Sequence, residues 1–77
     1  MGFSLVRVTW RSSEKVAEII LYGSGGHQYQ RDFPEVDSWD SARSAAKGVV
    51  EEMGLDFNDI EGFYDNKGEI VALYTTH

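Results

Sequence analysis

Apolar and polar residues alternate along the first part of the chain. The segments "FSLVRVTW" and "KVAEIILY" are rich in β-branched residues, which is typical of strands, and "RSSE" between them predicts a hairpin. A third alternating segment, "HQYQRDF", ends at a proline. Its polarity and the proline together indicate a strand at the edge of a sheet.

The middle of the chain has a helical period. In "DSWDSARSAAKGVVEEMG", residues 37–54, the apolar residues form one stripe: Trp39, Ala42, Ala46, Val49, Val50 and Met53. Asp37 or Ser38 can cap the start of the helix, and Gly54 can end it in a left-handed conformation. We expect one helix of about four turns.

Two more strands are predicted after the helix. "IEGFY" and "EIVALYT" can pair through the turn 65–68, where Gly68 can supply a positive φ. Leu55 and Phe57 can tuck under the end of the helix. The whole pattern predicts a single α+β domain over residues 1–77, with an antiparallel sheet of about five strands, one helix on one face and the order β-β-β-α-β-β.

The glycine-rich stretch "LYGSGGHQYQ" is the first candidate for chemistry. A phosphate-binding loop leads into a helix, whose free N–H groups meet the anion, whereas this loop leads into a predicted strand. Its spacing matches neither the nucleotide-binding patterns nor a nucleophile elbow. We interpret residues 23–27 as a bend between two strands, with His27 and Tyr29 placed where they can touch a partner.

Composition argues against metal, cofactor and catalytic sites. The chain has no cysteine and two histidines, too few for a metal site without carboxylates. The acidic run "DFNDIEGFYD" fails the register of a calcium loop, because its sixth position is Glu61 instead of glycine. A chain of 77 residues also has difficulty enclosing a pocket of about 300 Å³ or more beside its core. We expect no cofactor and a protein that is not an enzyme.

Charge and hydropathy limit the partners. Residues 1–33 hold four basic and three acidic residues, and residues 34–77 hold three basic and ten acidic residues, which gives net charges of +1 and −7. The overall charge of −6 argues against nucleic acid, since phosphate binding depends on lysine and arginine. No apolar run is long enough to span a bilayer and the start has no signal-peptide pattern, so we expect no membrane contact and a cytoplasmic location.

Several predicted strands are apolar on both faces, although one helix can cover only about half of one face. Either the sheet curls on itself, or its open face meets another molecule. On the helix, Ser44 and Gly48 lie opposite the apolar stripe, and a glycine there costs about 1 kcal/mol relative to alanine. Small residues at that position permit close approach of another backbone. The alternative is that the glycine has no function and arose by neutral drift at a position with little structural constraint.

These patterns favour a small protein-interaction module that binds another protein or a second copy of itself through an open sheet face and the 23–27 loop. The predicted partner-binding residues are Arg7, Arg11, Ile20, Tyr22, His27, Tyr29, Ser44 and Gly48. One alternative is a nucleic-acid-binding domain that uses the first three strands. Another is an acidic inhibitor whose carboxylates mimic a phosphate array.

Overall fold

The computed structural model describes residues 3–76, apart from the side chain of Asp59. It has five strands, one α-helix and a short 3₁₀ turn (residues 24–26) between the second and third strands. The elements are β1 (Phe3–Arg11), β2 (Val16–Gly23), β3 (Gln28–Phe33), α1 (Trp39–Glu52), β4 (Phe57–Asn66) and β5 (Glu69–Thr76). The predicted α+β class and the element order are confirmed.

All five strands form one antiparallel sheet in the order β3-β2-β1-β5-β4. The first and last strands of the chain are therefore neighbours near the centre, where Val6 lies opposite Tyr74 and Val8 opposite Ala72. β3 and β4 form the two edges. The edge position predicted for "HQYQRDF" is confirmed, and β4 is the second edge.

Helix α1 begins where the sequence predicts. Ser38 is the N-cap, and its side chain accepts a hydrogen bond from the backbone N–H of Ser41 at 3.1 Å. Gly54 follows the helix with a φ of +75°, the left-handed conformation predicted for it. Met53, which the sequence pattern includes in the apolar stripe, lies just beyond the helix and is 36% exposed.

The core lies between α1 and one face of the sheet. The helix packs mainly on β1 and β2, which supply the largest fully buried side chains of the sheet. The buried core residues are Val6, Val8, Ala17, Ile19, Leu21, Val36, Ala42, Ala46, Val49, Val50, Ala72 and Tyr74. Ala42 and Ala46 are 0% exposed, and such small side chains let the helix approach the sheet closely.

Two loops close one end of this core. The backbone N–H of Val36 donates to the carbonyl oxygen of Lys15 at 2.8 Å, and the indole Nε1 of Trp10 donates to the carbonyl oxygen of Val36 at 2.9 Å. Lys15 and Glu35 hold positive φ angles of 55° and 58°. The loop before α1 is thus fixed to the β1–β2 turn, and it buries Val36.

The glycine-rich segment is a bend between β2 and β3, as the sequence predicts. Its backbone closes with a hydrogen bond from the N–H of Gly23 to the carbonyl oxygen of His27 at 2.8 Å. Gly25 and Gly26 have φ angles of +69° and +78°, a region that glycine enters without steric cost. The imidazole of His27 stacks on the ring of Phe3 with 5.3 Å between ring centroids.

The last hairpin turns where the sequence predicts, with Gly68 at a φ of +79°. Strand β4 is longer than the predicted "IEGFY", since it begins at Phe57. Its pairing with β5 shifts register between Phe57 and Ile60 and again between Ile60 and Gly62. These irregularities explain why the early part of β4 lacks a clear period of two in the sequence.

Candidate interaction surface

Three of the four exposed large apolar side chains in the described part of the chain belong to β4. Ile60, Phe63 and Tyr64 are 54%, 56% and 54% exposed. The fourth, Met53, lies at the end of α1. Because β4 is an edge strand, one side of its backbone has no neighbouring strand within residues 3–76. We call Ile60–Asn66 the β4 edge.

The β4 edge presents apolar rings on both faces of the sheet. Phe63 lies opposite Ala72, a core residue, so Phe63 is on the face that carries the helix. Tyr64 lies opposite Val71 on the other face. Pairing with β5 is regular from Gly62 to Asn66, so this part of the outer edge is a segment without bulges onto which another strand can be added.

Aromatic contacts support the β4 edge from the helix side. The ring of Phe63 meets that of Trp39 edge-on, with 6.1 Å between the centroids. At the start of the same strand, Phe57 stacks on Tyr74 with centroids 4.6 Å apart. The Arg43 guanidinium lies over both of these rings, and its Nε donates to the Tyr74 hydroxyl at 3.3 Å. The apolar surface of β4 thus continues to the flank of the helix.

Carboxylates accompany these rings. Residues 56–66 contain four acidic residues and no lysine or arginine. The side chains of Glu61 and Asp65 are exposed. Among the described residues, neither of them forms an ion pair with a basic side chain. The surface around the β4 edge therefore combines exposed apolar rings with uncompensated negative charge.

The open face of the sheet is covered by its own side chains to a greater extent than the sequence suggests. A row of ion pairs crosses it: Glu18 lies 3.9 Å from both Arg7 and Arg11, and Arg11 lies 3.4 Å from Glu69. Ile20, which lies opposite Arg7 on this face, is only 6% exposed. The strands form one sheet, and the stems of such long charged side chains can cover part of its second apolar face.

Other apolar residues of the open face are half-buried. They are Leu5, Val16, Tyr22, Val71 and Leu73. The same face carries Arg7, which lies opposite Leu73 and whose Nε is buried without a hydrogen-bond partner in the described part of the chain. Tyr64 extends this half-buried surface to the β4 edge. A partner that binds the β4 edge can therefore also contact this face.

The predicted partner-binding residues do not form one surface. Arg7, Arg11, Ile20 and Tyr22 lie on the open face, and Tyr29 lies on the helix side, since it is opposite the core residue Leu21. His27 is exposed at the β2–β3 bend, and Ser44 is exposed on the outer side of α1. Gly48 is half-buried, but a Cβ added there would meet no atom within 4 Å.

Tyr29 has a partner within the fold. Its hydroxyl accepts a hydrogen bond from the guanidinium of Arg31 at 3.5 Å, and Arg31 also lies 3.5 Å from Glu52 of the helix. The hydrogen bond with Tyr29 raises the pKa of Arg31 above its usual value, and Glu52 adds to the effect. Arg31 thus connects β3 to the end of α1.

The residues of the β4 edge are not among the partner-binding residues predicted from the sequence. The strand "IEGFY" is predicted, but Ile60, Phe63 and Tyr64 stand among acidic residues without a regular period, so the sequence does not show which of them are exposed. The available signal was the combination of aromatic residues and unbalanced carboxylates between the helix and the last strand. Which face each ring occupies depends on the two register shifts.

Two other kinds of site are not found among the described residues. No three of their His, Cys, Asp or Glu side chains, a set that leaves out Asp59, are grouped so that they could hold a metal ion, and no pocket is found. No helix within residues 3–76 combines the length and apolarity needed to cross a membrane. The chain matches no family model, and neither curated proteins nor solved structures show significant similarity to it.

Proposed function

We propose that this chain is a protein-interaction module that holds its partner on the β4 edge. The observation that carries the proposal is that an edge strand exposes more than half of Ile60, Phe63 and Tyr64, on both faces of the sheet. Large apolar side chains gathered on one exposed element are typical of interaction surfaces.

The backbone of an edge strand favours the same proposal. An edge strand has a row of N–H and C=O groups that no neighbouring strand uses, and an extended segment of another protein can pair with them. In such complexes the backbone hydrogen bonds supply affinity, and the side chains on alternate faces supply specificity. The rings of Phe63 and Tyr64 stand on these alternate faces.

The other edge strand, β3, exposes much less apolar surface to a partner. Its outward residues Gln28, Gln30 and Asp32 are polar, and its apolar residues Tyr29 and Phe33 pack partly against the core. The 23–27 loop joins β3 to β2 and therefore lies on the side of the sheet away from β4. We therefore place the interaction on β4 and the adjoining open face, without the loop.

Site-specific photo-crosslinking in the native host tests this location. A photoreactive aromatic residue is introduced in place of Phe63, and in a matched variant in place of Gln30, an exposed position on the opposite edge strand. We expect a discrete crosslinked protein with the probe at position 63 and none with the probe at position 30. Absence of adducts at position 63 would contradict the proposal.

Probes at two more positions examine the surfaces expected from the sequence. Adducts at His27 or Ser44 in place of position 63 would move the interaction to the loop or to the outer side of the helix. Light scattering after gel filtration then distinguishes the kinds of partner. If the chain is a dimer and Phe63→Lys dissociates it, the partner on β4 is a second copy of the chain. If the chain is a monomer, the partner is a different protein.

A further inference from the structure

We propose that the partner segment on the β4 edge is an extended, basic stretch of another protein, in which lysine or arginine residues share a face with apolar ones. It would add as a sixth strand beside Gly62–Asn66. This inference rests on the proposed function, and it goes further because it specifies the chemistry of the partner.

Charge is the first argument. Glu61 and Asp65 of the β4 edge are exposed without basic partners among the described residues, although the same sheet neutralises Glu18 and Glu69 with arginines. Residues 34–77 carry a net charge of −7. Opposite charges placed across two neighbouring strands contribute roughly 0.2–1 kcal/mol per pair. A basic strand at this edge is therefore stabilised by charge, and an acidic strand is destabilised.

The same charges argue against a second copy. Two β4 strands paired with each other would bring two sets of acidic residues together, with no lysine or arginine from residues 56–66 of either chain. Charged residues on an edge strand are a known means of preventing self-association. They do not hinder a strand of opposite charge, and they repel nucleic acid.

The register of an added strand beside β4 specifies which sequence pattern the partner segment should have. Phe63 and Asp65 lie on the helix side of β4, two residues apart, and Tyr64 lies on the other side. A residue facing Asp65 and a residue facing Phe63 would thus be two positions apart in the added strand. A basic residue next to an apolar one on the same face fits this arrangement, and its stem can pack on the ring of Phe63.

The length of the added strand is limited by the structure of β4. Pairing with β5 is regular from Gly62 to Asn66, and register shifts interrupt it before Gly62. Bulges of this kind bend an edge strand and end its pairing. We therefore expect recognition of a short segment, about as long as Gly62–Asn66, with Phe63 and Tyr64 contributing most of the apolar contact.

Selection from a display library of random peptides tests the inference. The bait is the full chain, and recovered peptides are counter-selected against Phe63→Lys so that only those bound at β4 remain. We expect enrichment of lysine or arginine two positions from an apolar residue. Peptides with this pattern should slow amide hydrogen exchange of residues 62–66 and leave β3 unchanged.

A charge-reversal pair supplies the control. The variant Asp65→Lys should weaken binding of the recovered peptides about threefold, which corresponds to one cross-strand charge pair. The variant Glu51→Lys changes net charge equally at an exposed position outside β4, so it should weaken binding much less. Equal losses in the two variants would overturn the proposed charge recognition.

The remaining outcomes separate this inference from the proposed function. Peptides that bind at β4 without any basic preference, or crosslinks at position 63 with no peptide enriched, overturn the basic strand and leave the proposed interaction surface in place. A dimer formed through β4 has the same consequence. Absence of both crosslinks and peptides contradicts the two proposals together.

Discussion

The indole nitrogen of Trp10 donates a hydrogen bond to the backbone carbonyl of Val36, 26 residues away, at 2.9 Å. Val36 is 7% exposed, and its own N–H donates to Lys15. Trp10 therefore holds the loop that precedes the helix and satisfies a carbonyl that the fold removes from water. A buried carbonyl without a partner costs about 1–3 kcal/mol.

Trp10→Phe should lower the free energy of unfolding by about 1–3 kcal/mol, because phenylalanine leaves the Val36 carbonyl without its donor. Urea unfolding followed by circular dichroism measures the loss. Trp39→Phe is the matched control, since no hydrogen bond of the Trp39 indole is found within the described residues. Equal losses in the two variants would show that the hydrogen bond contributes little.

Ala46→Leu should destabilise the fold by about 1–3 kcal/mol, because the helix–sheet interface has no space for the added carbons. Ala46 is 0% exposed and belongs to the core. Ser44→Leu places the same side chain at an exposed position of the same helix, and we expect a change within about 0.5 kcal/mol. Thermal unfolding of both variants provides the comparison.

Two glycine-to-alanine substitutions should have opposite effects on the stability of the fold. Gly68→Ala should cost about 1–2 kcal/mol, because φ is +79° and the new Cβ would lie 3.2 Å from the Ser12 Oγ. Gly48→Ala should stabilise the helix by about 0.5–1 kcal/mol, because an added Cβ would have no atom within 4 Å. Denaturant midpoints measure both effects, and a destabilised Gly48→Ala variant would contradict this account of α1.

The stability of variants at position 15 should depend on how well each residue tolerates a positive φ. Lys15 has a φ of 55°, and its ion pair with Asp37 at 3.8 Å is largely exposed, so the charge contributes little. Lys15→Gly should be about 0.5 kcal/mol more stable than the natural chain, since relief of steric cost exceeds the added chain entropy. Lys15→Val should be less stable, and any other order of the three melting temperatures would contradict this prediction.

The fold was predictable from the sequence where hydrophobic spacing is regular. The stripe of α1, the cap at Ser38 and the positive φ at Gly54 and Gly68 depend on interactions within a few residues, which local sequence specifies. Strand order was not predictable, because pairing between β1 and β5 joins Leu5 to Thr75. Nothing local to either strand indicates such a distant neighbour.

The candidate surface was predictable only in part. The sequence indicates an excess of apolar strand surface, and the structure locates its most exposed part on β4 because that strand is placed last in the sheet. Ile20 has the same character in the sequence, yet it is 6% exposed in β2, which has a neighbouring strand on each side. Exposure of an apolar residue thus depends on its sheet position and neighbours, which spacing alone does not specify.

The order of the strands has a consequence for biosynthesis. β5 leaves the ribosome after every other element of this fold, yet it is inserted between β1 and β4. A nascent chain ending before β5 can form the β1–β2–β3 meander, but β1 then has a bare edge and β4 has no place in the sheet. The complete sheet therefore cannot form before β5 has been synthesised, and its central pairing depends on non-local contacts, which are typical of slower folding.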